Sequence, residues 1–354
     1  MDKTKPFDIP KALVWEAWKL VKANNGSAGI DHESIIDFEL NLSLNLYKLW
    51  NRLSSGSYFP PAVKGVAIPK KQGGIRMLGV PTVSDRIAQM AIKLVFEPHV
   101  EPHFLADSYG NRPNKSALDA VGITRKRCWY FNWVLEFDIR GLFDNIRHDL
   151  LMKAVRFHTD NKWVILYIER WLNAEMQMPD GSIVKRTCGT PQGGVISPIL
   201  SNLFLHYVFD VWMMTHHRNK PWCRYADDGI VHCYTEAQAQ ALLVELKQLF
   251  AACGLEIHSE KTKIVYCKDS NRKGEYPNTQ FTFLGYDFKL RTLKSPKNGQ
   301  LFCSFSPAVS KNALNSMRAK IRSTGLRNRT EKTLFQIAKQ YNPMLQGWLM
   351  YYLW

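Results

Sequence analysis

The sequence predicts an α+β fold with helical ends. Three observations support this prediction. The middle of the chain alternates short apolar strands with helices, and both ends show helical periodicity. The composition, with 45% hydrophobic and 22% charged residues, has an ordinary globular balance. A chain of 354 residues has room for two or three domains. Together, this length and the globular composition exclude disorder, collagen-like repeats and a small disulfide scaffold.

Helices and one hairpin are predicted for the first hundred residues. Apolar spacing predicts helices over residues 11–23, 34–53 and 85–96. The stretch from Pro60 to Pro81 is rich in Gly, Pro and Lys, and short apolar runs flank its Gly73-Gly74 pair. A Gly-Gly pair between two such runs is typical of a β-hairpin.

Strands and helices alternate from residue 134 onward. In chain order, the predicted elements are a strand over 134–137 that runs into Asp138, a helix over 148–158, two short strands around Ala226-Asp227-Asp228-Gly229, a helix capped by Thr235 and Gln238 and ended by Gly254, a strand over 280–288, and a helical tail from about Ser310.

The positive charge is concentrated near the C-terminal end. The chain has 47 Lys and Arg against 31 Asp and Glu, a net charge of +16, and residues 286–354 hold twelve basic and two acidic residues. This excess indicates a polyanionic partner, either nucleic acid or an anionic membrane. On a helix from Ser310, Lys311, Arg318 and Arg322 share one arc beside a short apolar arc that lacks aromatic anchors. That pattern favours nucleic acid and predicts no membrane contact.

The cysteines and the N-terminus indicate a reducing compartment. The seven cysteines form no CxxC pair, which argues against a zinc site and against a disulfide framework. The first ten residues are polar and contain no apolar signal core. We therefore expect a cytoplasmic protein. The sequence also lacks a Gly-rich phosphate loop of the Walker or dinucleotide type.

Three carboxylates stand out in the middle of the chain. Asp138 closes an apolar strand, and Asp227-Asp228 occupies a tight turn between two short strands. Adjacent carboxylates repel each other, and a divalent cation such as Mg²⁺ relieves that repulsion. Two such ions about 4 Å apart can support an in-line phosphoryl displacement. The alternative is ordinary Asp-Asp-Gly turn chemistry, and for Asp144 we expect the role of a helix N-cap.

Several motifs carry a family resemblance. Residues 224–228 (RYADD) resemble the YxDD turn of reverse transcriptases, and residues 137–144 (FDIRGLFD) resemble their first acidic palm motif. Residues 189–198 (GTPQGGVISP) are similar to the second palm motif of bacterial group II intron reverse transcriptases, the intron-encoded maturases. Further matches follow in the family's order at residues 24–31, 69–76 with 81–86, 108–119, 260–263 and 283–285.

The resemblance implies a right-hand polymerase with fingers, a palm built on an antiparallel sheet, and a helical thumb. The implied domains are an N-terminal extension over 1–59, fingers with part of the palm over 60–130, the palm over 131–290, and a thumb or X domain over 291–354. Residues 342–352 match a thumb-helix motif after which relatives continue, whereas this chain ends at Trp354. The thumb is therefore expected to be incomplete.

The implied activity is RNA-directed DNA synthesis, in which a DNA or RNA primer 3′-hydroxyl is extended with dNTPs on an RNA template, group II intron RNA above all. Two Mg²⁺ ions, with Mn²⁺ as an alternative, would be held by the catalytic acids and the carbonyl of Ile139. The implied location is the bacterial cytoplasm, at the nucleoid when bound to target DNA. By resemblance the site residues are the catalytic acids Asp138, Asp227 and Asp228, the nucleotide contacts Lys70, Arg76, Phe143 and Gln192, and the nucleic-acid contacts Arg112, Lys115, Lys261, Lys311, Arg318 and Arg322.

Each of these roles has a structural alternative. Phe143 can be a core residue, Gln192 can belong to a simple turn, and Lys261 can be a surface lysine or one that orders neighbouring strands. Lys70 and Arg76 can flank a solvated hairpin. For the whole protein, the alternatives are a non-catalytic maturase that only stabilises folded RNA and a reverse transcriptase recruited to host defence.

Overall fold

The computed structural model describes residues 5–69, 74–326 and 330–352. They separate into two compact units, each built from three chain segments, and each unit is described by itself. The first unit comprises Met1–Pro113, Ile139–His217 and Lys247–Glu256, and the second comprises Asn114–Asp138, Arg218–Leu246 and Ile257–Trp354. These discontinuous units differ from the contiguous domains that the sequence suggests, whose boundaries stay a prediction.

The helices occupy both ends and the middle of the chain. They are α1 (Lys11–Asn24), α2 (Ile35–Leu40), α3 (Leu42–Ser54), α4 (Val83–Val100), α5 (Ala117–Cys128), α6 (Leu142–Asn145), α7 (His148–His158), α8 (Lys162–Leu172), α9 (Ser197–Leu205), α10 (Val211–His216), α11 (Glu236–Ala252), α12 (Lys311–Ser323) and α13 (Leu334–Tyr352). A 3₁₀ turn covers Glu101–His103 and a π-helical turn covers His206–Asp210. Within the described residues, no helix combines the length and the apolar character that crossing a membrane requires.

Among the residues that the structure describes, the strands form three sheets. They are β1 (Val63–Pro69), β2 (Ile75–Val80), β3 (Trp133–Arg140), β4 (Met176–Gln177), β5 (Ile183–Val184), β6 (Trp222–Tyr225), β7 (Asp228–Cys233), β8 (Glu256–Ile257), β9 (Lys263–Tyr266), β10 (Gln280–Phe283), β11 (Tyr286–Lys294) and β12 (Leu301–Val309). The strand orders are β2-β1-β4-β5, β10-β11-β12 and β6-β7-β3-β8, with β9 also paired to β3.

The first unit is organised around α4, which begins at the Thr82 cap and buries most of its length. Its buried Asp85 accepts hydrogen bonds from the hydroxyl of Tyr58 at 2.8 Å, from Nε2 of Gln89 at 2.9 Å and from Nε1 of Trp171 at 2.6 Å. These donors lie after α3, on α4 and on α8. One carboxylate therefore joins three parts of the core.

The second unit is organised around β3, the strand to which β7 and β9 pair antiparallel. The alternation of β3 buries Trp133, Leu135 and Phe137 on one face, as period-2 patterning predicts. On the antiparallel sheet β10-β11-β12, the rings of Phe281 and Phe288 stack at 4.6 Å between centroids. This sheet and the β3 sheet give the unit its β content.

Most predicted elements are confirmed, and three local predictions are wrong. The predicted helix over 34–53 is two helices, because Asn41 leaves helical geometry with ψ 38°. The predicted strand over 280–288 is a hairpin, since Leu284 and Gly285 both have positive φ, 50° and 81°. Asp144 lies inside α6 and caps no helix, and α7 begins after Arg147 without a side-chain cap.

Candidate functional site

The three predicted acids lie together in the second unit. In the antiparallel pairing of β3 with β7, Asp138 stands directly opposite Asp228. Residues Ala226 and Asp227 form the turn between β6 and β7, because Tyr225 pairs with Asp228. Directly opposed residues on an antiparallel pair have Cβ atoms about 5 Å apart. We call Asp138, Asp227 and Asp228 the acidic cluster.

The β6–β7 turn is strained, and a buried arginine stabilises it through a hydrogen bond. Ala226 has φ 54°, the left-handed region that residues with a Cβ rarely adopt. The fully buried Arg224 donates from Nη1 to the carbonyl oxygen of Ala226 at 3.2 Å. Gly229 lies opposite Phe137, and a Cβ there would lie 2.1 Å from the Phe137 ring. Strain of this kind concentrates at functional sites, where the surrounding structure maintains it.

The electrostatics of the acidic cluster favour a cation. Burial raises the pKa of Asp228 to about 7, and the charges of Asp227 and Asp138 contribute to that rise. The carboxyl groups of Asp228 and Asp138 interact because the two residues are directly opposed on β7 and β3. Nζ of Lys261 lies 2.8 Å from Oδ2 of Asp138, and this hydrogen bond is the main cause of the raised pKa of Lys261. The cluster thus crowds negative charge that a single ammonium only partly neutralises.

A fourth acid belongs to this region and was missed from the sequence. Glu136 lies two residues before Asp138 on β3 and therefore on the same face. Burial raises its pKa to about 8, and its cross-strand neighbour Lys263 opposes that shift. The charges of Asp228 and Asp138 also act to raise it. A lone Glu inside an apolar strand was the sequence signal that could have found it.

The acidic cluster fits a divalent cation that completes its shell with water or substrate. Among the described residues, no group of three or more His, Cys, Asp or Glu side chains is placed to hold a metal by itself. Mg²⁺ does not need such a cage, since it usually takes one or two carboxylates together with water and phosphate oxygens. The carboxylates of Asp138 and Asp228, directly opposed on β3 and β7, supply that donor set. The contribution of the carbonyl of Ile139, the next residue on β3, stays a prediction.

The predicted nucleotide contacts lie in the first unit, apart from Lys70, which falls outside the described residues. Arg76 on β2 donates from Nε to Oε1 of Gln192. Nε2 of Gln192 in turn donates to Oδ2 of Asp144 at 3.0 Å. We call Arg76, Gln192 and Asp144 the Gln192 network. Phe143, the neighbour of Asp144 on α6, is half-buried, so its ring is not fully enclosed in the core.

Backbone contacts fix the turn that carries Gln192. The N–H of Gly79 on β2 donates to the carbonyl of Gln192 at 2.7 Å, and the N–H of Thr190 donates to the carbonyl of Phe143 at 2.6 Å. Gly189 has φ 79°, and a Cβ there would lie 2.6 Å from the carbonyl oxygen of Phe143. Only glycine allows so close an approach. The turn is thus joined to β2 on one side and to α6 on the other.

Apart from Lys261, which lies at the acidic cluster, the predicted nucleic-acid contacts differ in how far their side chains are exposed. The side chain of Arg112 is largely buried, and its guanidinium donates to Glu101 at 2.9 Å and to the carbonyls of Leu105 at 2.7 Å and Ser108 at 2.8 Å. These contacts give Arg112 a structural role in its loop, and its contact with a template stays a prediction. Lys115 is half-buried just before α5, whereas the α12 residues Lys311, Arg318 and Arg322 are exposed.

An antiparallel sheet that opposes Asp138 to the acidic β6–β7 turn defines a right-hand nucleic-acid polymerase. Residues 68–288 match the family "Reverse transcriptase (RNA-dependent DNA polymerase)", and residues 314–353 match "Group II intron, maturase-specific domain". The chain therefore belongs to the reverse transcriptase family, in its group II intron maturase branch. The family and the right-hand fold predicted from the sequence are confirmed.

The chain is also similar to individual proteins. The chain is similar to protein YkfC of Escherichia coli (strain K12), with 31% identity over 77% of this chain and 78% of that protein. It is 34% identical to the group II intron-encoded protein LtrA of Lactococcus lactis subsp. cremoris over 45% of this chain, but it spans only 26% of LtrA. An apo telomerase from Candida tropicalis, truncated from its C-terminal domain, shares the fold with a TM-score of 0.51 at 15% identity over 69% of this chain and 59% of that structure.

Proposed function

We propose that this protein is an active RNA-directed DNA polymerase that extends a primer 3′-hydroxyl with dNTPs on an RNA template. The observation that carries the proposal is the register of β3 and β7, which opposes Asp138 to Asp228 beside the Asp227 turn. Group II intron RNA is the natural template in this proposal. The maturase-specific match over residues 314–353 supports that choice.

The acidic cluster is the catalytic centre in this proposal. Asp138 and Asp227, with the carbonyl of Ile139, are the ligands proposed for two Mg²⁺ ions, and Asp228 completes the acidic set. When bound, such ions lower the pKa of the primer hydroxyl and neutralise the departing pyrophosphate. The strained turn at Ala226 keeps the two adjacent carboxylates at the end of the hairpin. Lys261 balances the charge of Asp138 before substrate binds.

The first unit carries the proposed nucleotide contacts. The guanidinium of Arg76 donates one hydrogen bond, from Nε, to Gln192. Its two Nη groups are therefore suited to bidentate contact with a triphosphate. Phe143 is proposed to exclude a 2′-hydroxyl, the group that distinguishes ribonucleotides, because its half-buried ring adds bulk next to the network. Gln192 is proposed to contact the incoming nucleotide, and Lys70 to contact its phosphates.

A primer-extension assay tests the proposal. Purified protein with poly(rA)/oligo(dT), labelled dTTP and Mg²⁺ should incorporate label, and Asp227→Ala/Asp228→Ala should reduce incorporation to background. The matched control is Asp149→Ala/Asp160→Ala, which removes the same charge from exposed positions of the first unit. Incorporation that is equal in the wild type and in the Asp227→Ala/Asp228→Ala variant would refute the proposal.

A maturase role in RNA binding is the second candidate function. The exposed side chains of Lys311, Arg318 and Arg322 on α12 favour it, as does the maturase-specific match. Tight, salt-sensitive binding of a group II intron RNA that the triple variant of these residues weakens would support this role. Binding without any dNTP incorporation would favour a purely structural maturase over the polymerase.

A further inference from the structure

Asp144 makes a contact that its sequence position did not suggest. It follows Phe143 on the short helix α6, and its Oδ2 accepts a hydrogen bond from Nε2 of Gln192 at 3.0 Å. Oε1 of the same Gln192 amide accepts from Nε of Arg76. Gln192 is half-buried, whereas Asp144 and Arg76 are exposed. One amide thus connects strand β2 with the helix that carries Phe143.

The two partners allow only one orientation of the Gln192 amide. A carboxylate can only accept hydrogen bonds and a guanidinium can only donate them. The amide nitrogen must therefore face Asp144, and the amide oxygen must face Arg76. If Asp144 were absent, only the hydrogen bond from Arg76 would hold the amide, and one bond restricts the broad last torsion of Gln192 less than two bonds do. Within the hydrogen bonds of the described residues, this orientation leaves one Nε2 hydrogen and one oxygen lone pair of Gln192 for a ligand.

The surroundings hold Asp144 in place for this contact. Nδ2 of the neighbouring Asn145 donates to the carbonyl of Gly141 at 3.0 Å, which fixes the α6 turn. The side chain of the half-buried Arg186 interacts electrostatically with Asp144. Neither α6 nor α7 has its N-terminus capped by the Asp144 side chain. The carboxylate is thus used by the network and not by local helix structure.

We infer that Asp144 is a positioning residue for nucleotide binding, which holds the Gln192 amide in the single orientation that links Arg76 to the α6 turn. The inference rests on the proposed function, in which Gln192 and Arg76 contact the incoming dNTP. Asp144 touches no substrate in this scheme and acts only through Gln192. Its loss should therefore weaken dNTP binding and leave the chemical step intact.

Steady-state kinetics on poly(rA)/oligo(dT) test the inference. Asp144→Ala should raise the KM for dTTP about tenfold, as expected for one lost hydrogen bond to a charged group, with kcat little changed. Asp144→Asn, which keeps an acceptor oxygen, should recover most of the affinity. Asp144→Ala should add nothing in a Gln192→Ala background, because both changes remove the same interaction. The control Asp149→Ala removes a nearby exposed charge that pairs only with Arg147 among the ion pairs of the described residues.

Three results would overturn the inference. They are a KM for Asp144→Ala equal to that of Asp149→Ala, effects of Asp144→Ala and Gln192→Ala that add, and a loss of kcat and thermal stability with unchanged KM. The last result would mark Asp144 as merely structural.

A second readout needs no activity. In protein labelled with ¹⁵N-glutamine, the Gln192 side-chain signals are those absent from Gln192→Ala. Asp144→Ala should shift them, whereas Asp149→Ala should not. Unchanged Gln192 signals in Asp144→Ala would overturn the inference even if the wild type incorporates no dTTP, an outcome that would by itself refute only the proposed function.

Discussion

Nζ of Lys261 lies 2.8 Å from Oδ2 of Asp138. Asp138 is on β3, where it stands directly opposite Asp228 of β7. The ammonium is partly exposed, and the pKa of Lys261 is raised chiefly by this hydrogen bond. Lys261 also acts to lower the pKa of Asp228, against the effects of burial and neighbouring carboxylates. The positive charge of Lys261 therefore offsets part of the negative charge that would attract a cation to the acidic cluster.

Replacing Lys261 should change the metal requirement of the protein. In Lys261→Gln, the ammonium no longer competes for Asp138, so half-maximal dTTP incorporation should need about two- to fivefold less Mg²⁺, the range of a partly exposed ion pair. A Mg²⁺ titration of primer extension measures this effect. Lys247→Gln, an exposed lysine on α11, is the control of equal charge. A higher Mg²⁺ requirement in Lys261→Gln would mean that the lysine assists the metal instead of competing with it.

Adding a methyl group at Gly229 should destabilise the protein. The new Cβ would lie 2.1 Å from the ring of Phe137, so Gly229→Ala should cost about 1–3 kcal/mol by overpacking. Urea unfolding midpoints measure the loss. Phe137→Leu in the same chain should recover part of it, because the smaller side chain makes room. In Gly347→Ala, no atom lies within 4 Å of the new methyl, and its stability should not fall.

The double variant Phe137→Leu/Gly229→Ala, compared with Phe137→Leu alone, decides the origin of this cost. A cost of Gly229→Ala that is the same in the wild-type and Phe137→Leu backgrounds would contradict the overpacking account. The destabilisation would then come from the backbone of the hairpin and not from the contact with the ring.

Asp85 should make the stability of the protein pH-dependent in acid. Burial raises its pKa to about 6, although hydrogen bonds from Trp171, Tyr58 and Gln89 oppose that shift. Between about pH 4 and pH 6 the folded state keeps a proton on Asp85 that the unfolded state has lost. The contribution of Asp85 therefore falls as pH rises through this window, by about 3 kcal/mol in total, and is constant above it.

Asp85→Asn should remove this fall, because the amide does not titrate. Unfolding free energies of the wild type and the variant from pH 4 to pH 7 provide the comparison, with the exposed Asp160→Asn as the control. Parallel pH profiles for the wild type and Asp85→Asn would show that Asp85 has an ordinary pKa in the folded protein.

The sequence predictions rested on local pattern and on the order of the motifs. Contacts between residues far apart in the sequence were not predictable in this way. The strand ending at Asp138 and the turn at Asp227-Asp228 were predictable, because period-2 alternation and a polar turn are local signals. Their exact opposition depends on the register of β3 and β7, which pairs residues about ninety positions apart. The same limit hid the contact of Asp144 with Gln192 and the proximity of Glu136 to the acidic cluster.

Two of the three arginines predicted to contact nucleic acid, Arg112 and Arg318, illustrate this limit. Nothing local distinguishes Arg112, between two Asn-containing turns, from an exposed arginine. In the structure, the guanidinium of Arg112 pairs with Glu101 and donates hydrogen bonds to loop carbonyls, whereas the side chain of Arg318 on α12 is exposed. Charge alone therefore predicts a nucleic-acid contact only where the fold leaves the side chain in solvent.

Salt-dependent RNA binding should separate these two arginines. Arg318→Gln should weaken binding of a group II intron RNA and lower the slope of log K against log salt by about one, since one phosphate contact is lost. Its thermal unfolding midpoint should not change, because the side chain is exposed.

Arg112→Gln should lower the thermal unfolding midpoint and leave the salt dependence of RNA binding unchanged. It leaves Glu101 and two loop carbonyls without their donor, and each costs about 1–3 kcal/mol, so the unfolding midpoint should fall while the salt slope stays that of the wild type. A slope in Arg112→Gln reduced as much as in Arg318→Gln would return Arg112 to the RNA-binding surface.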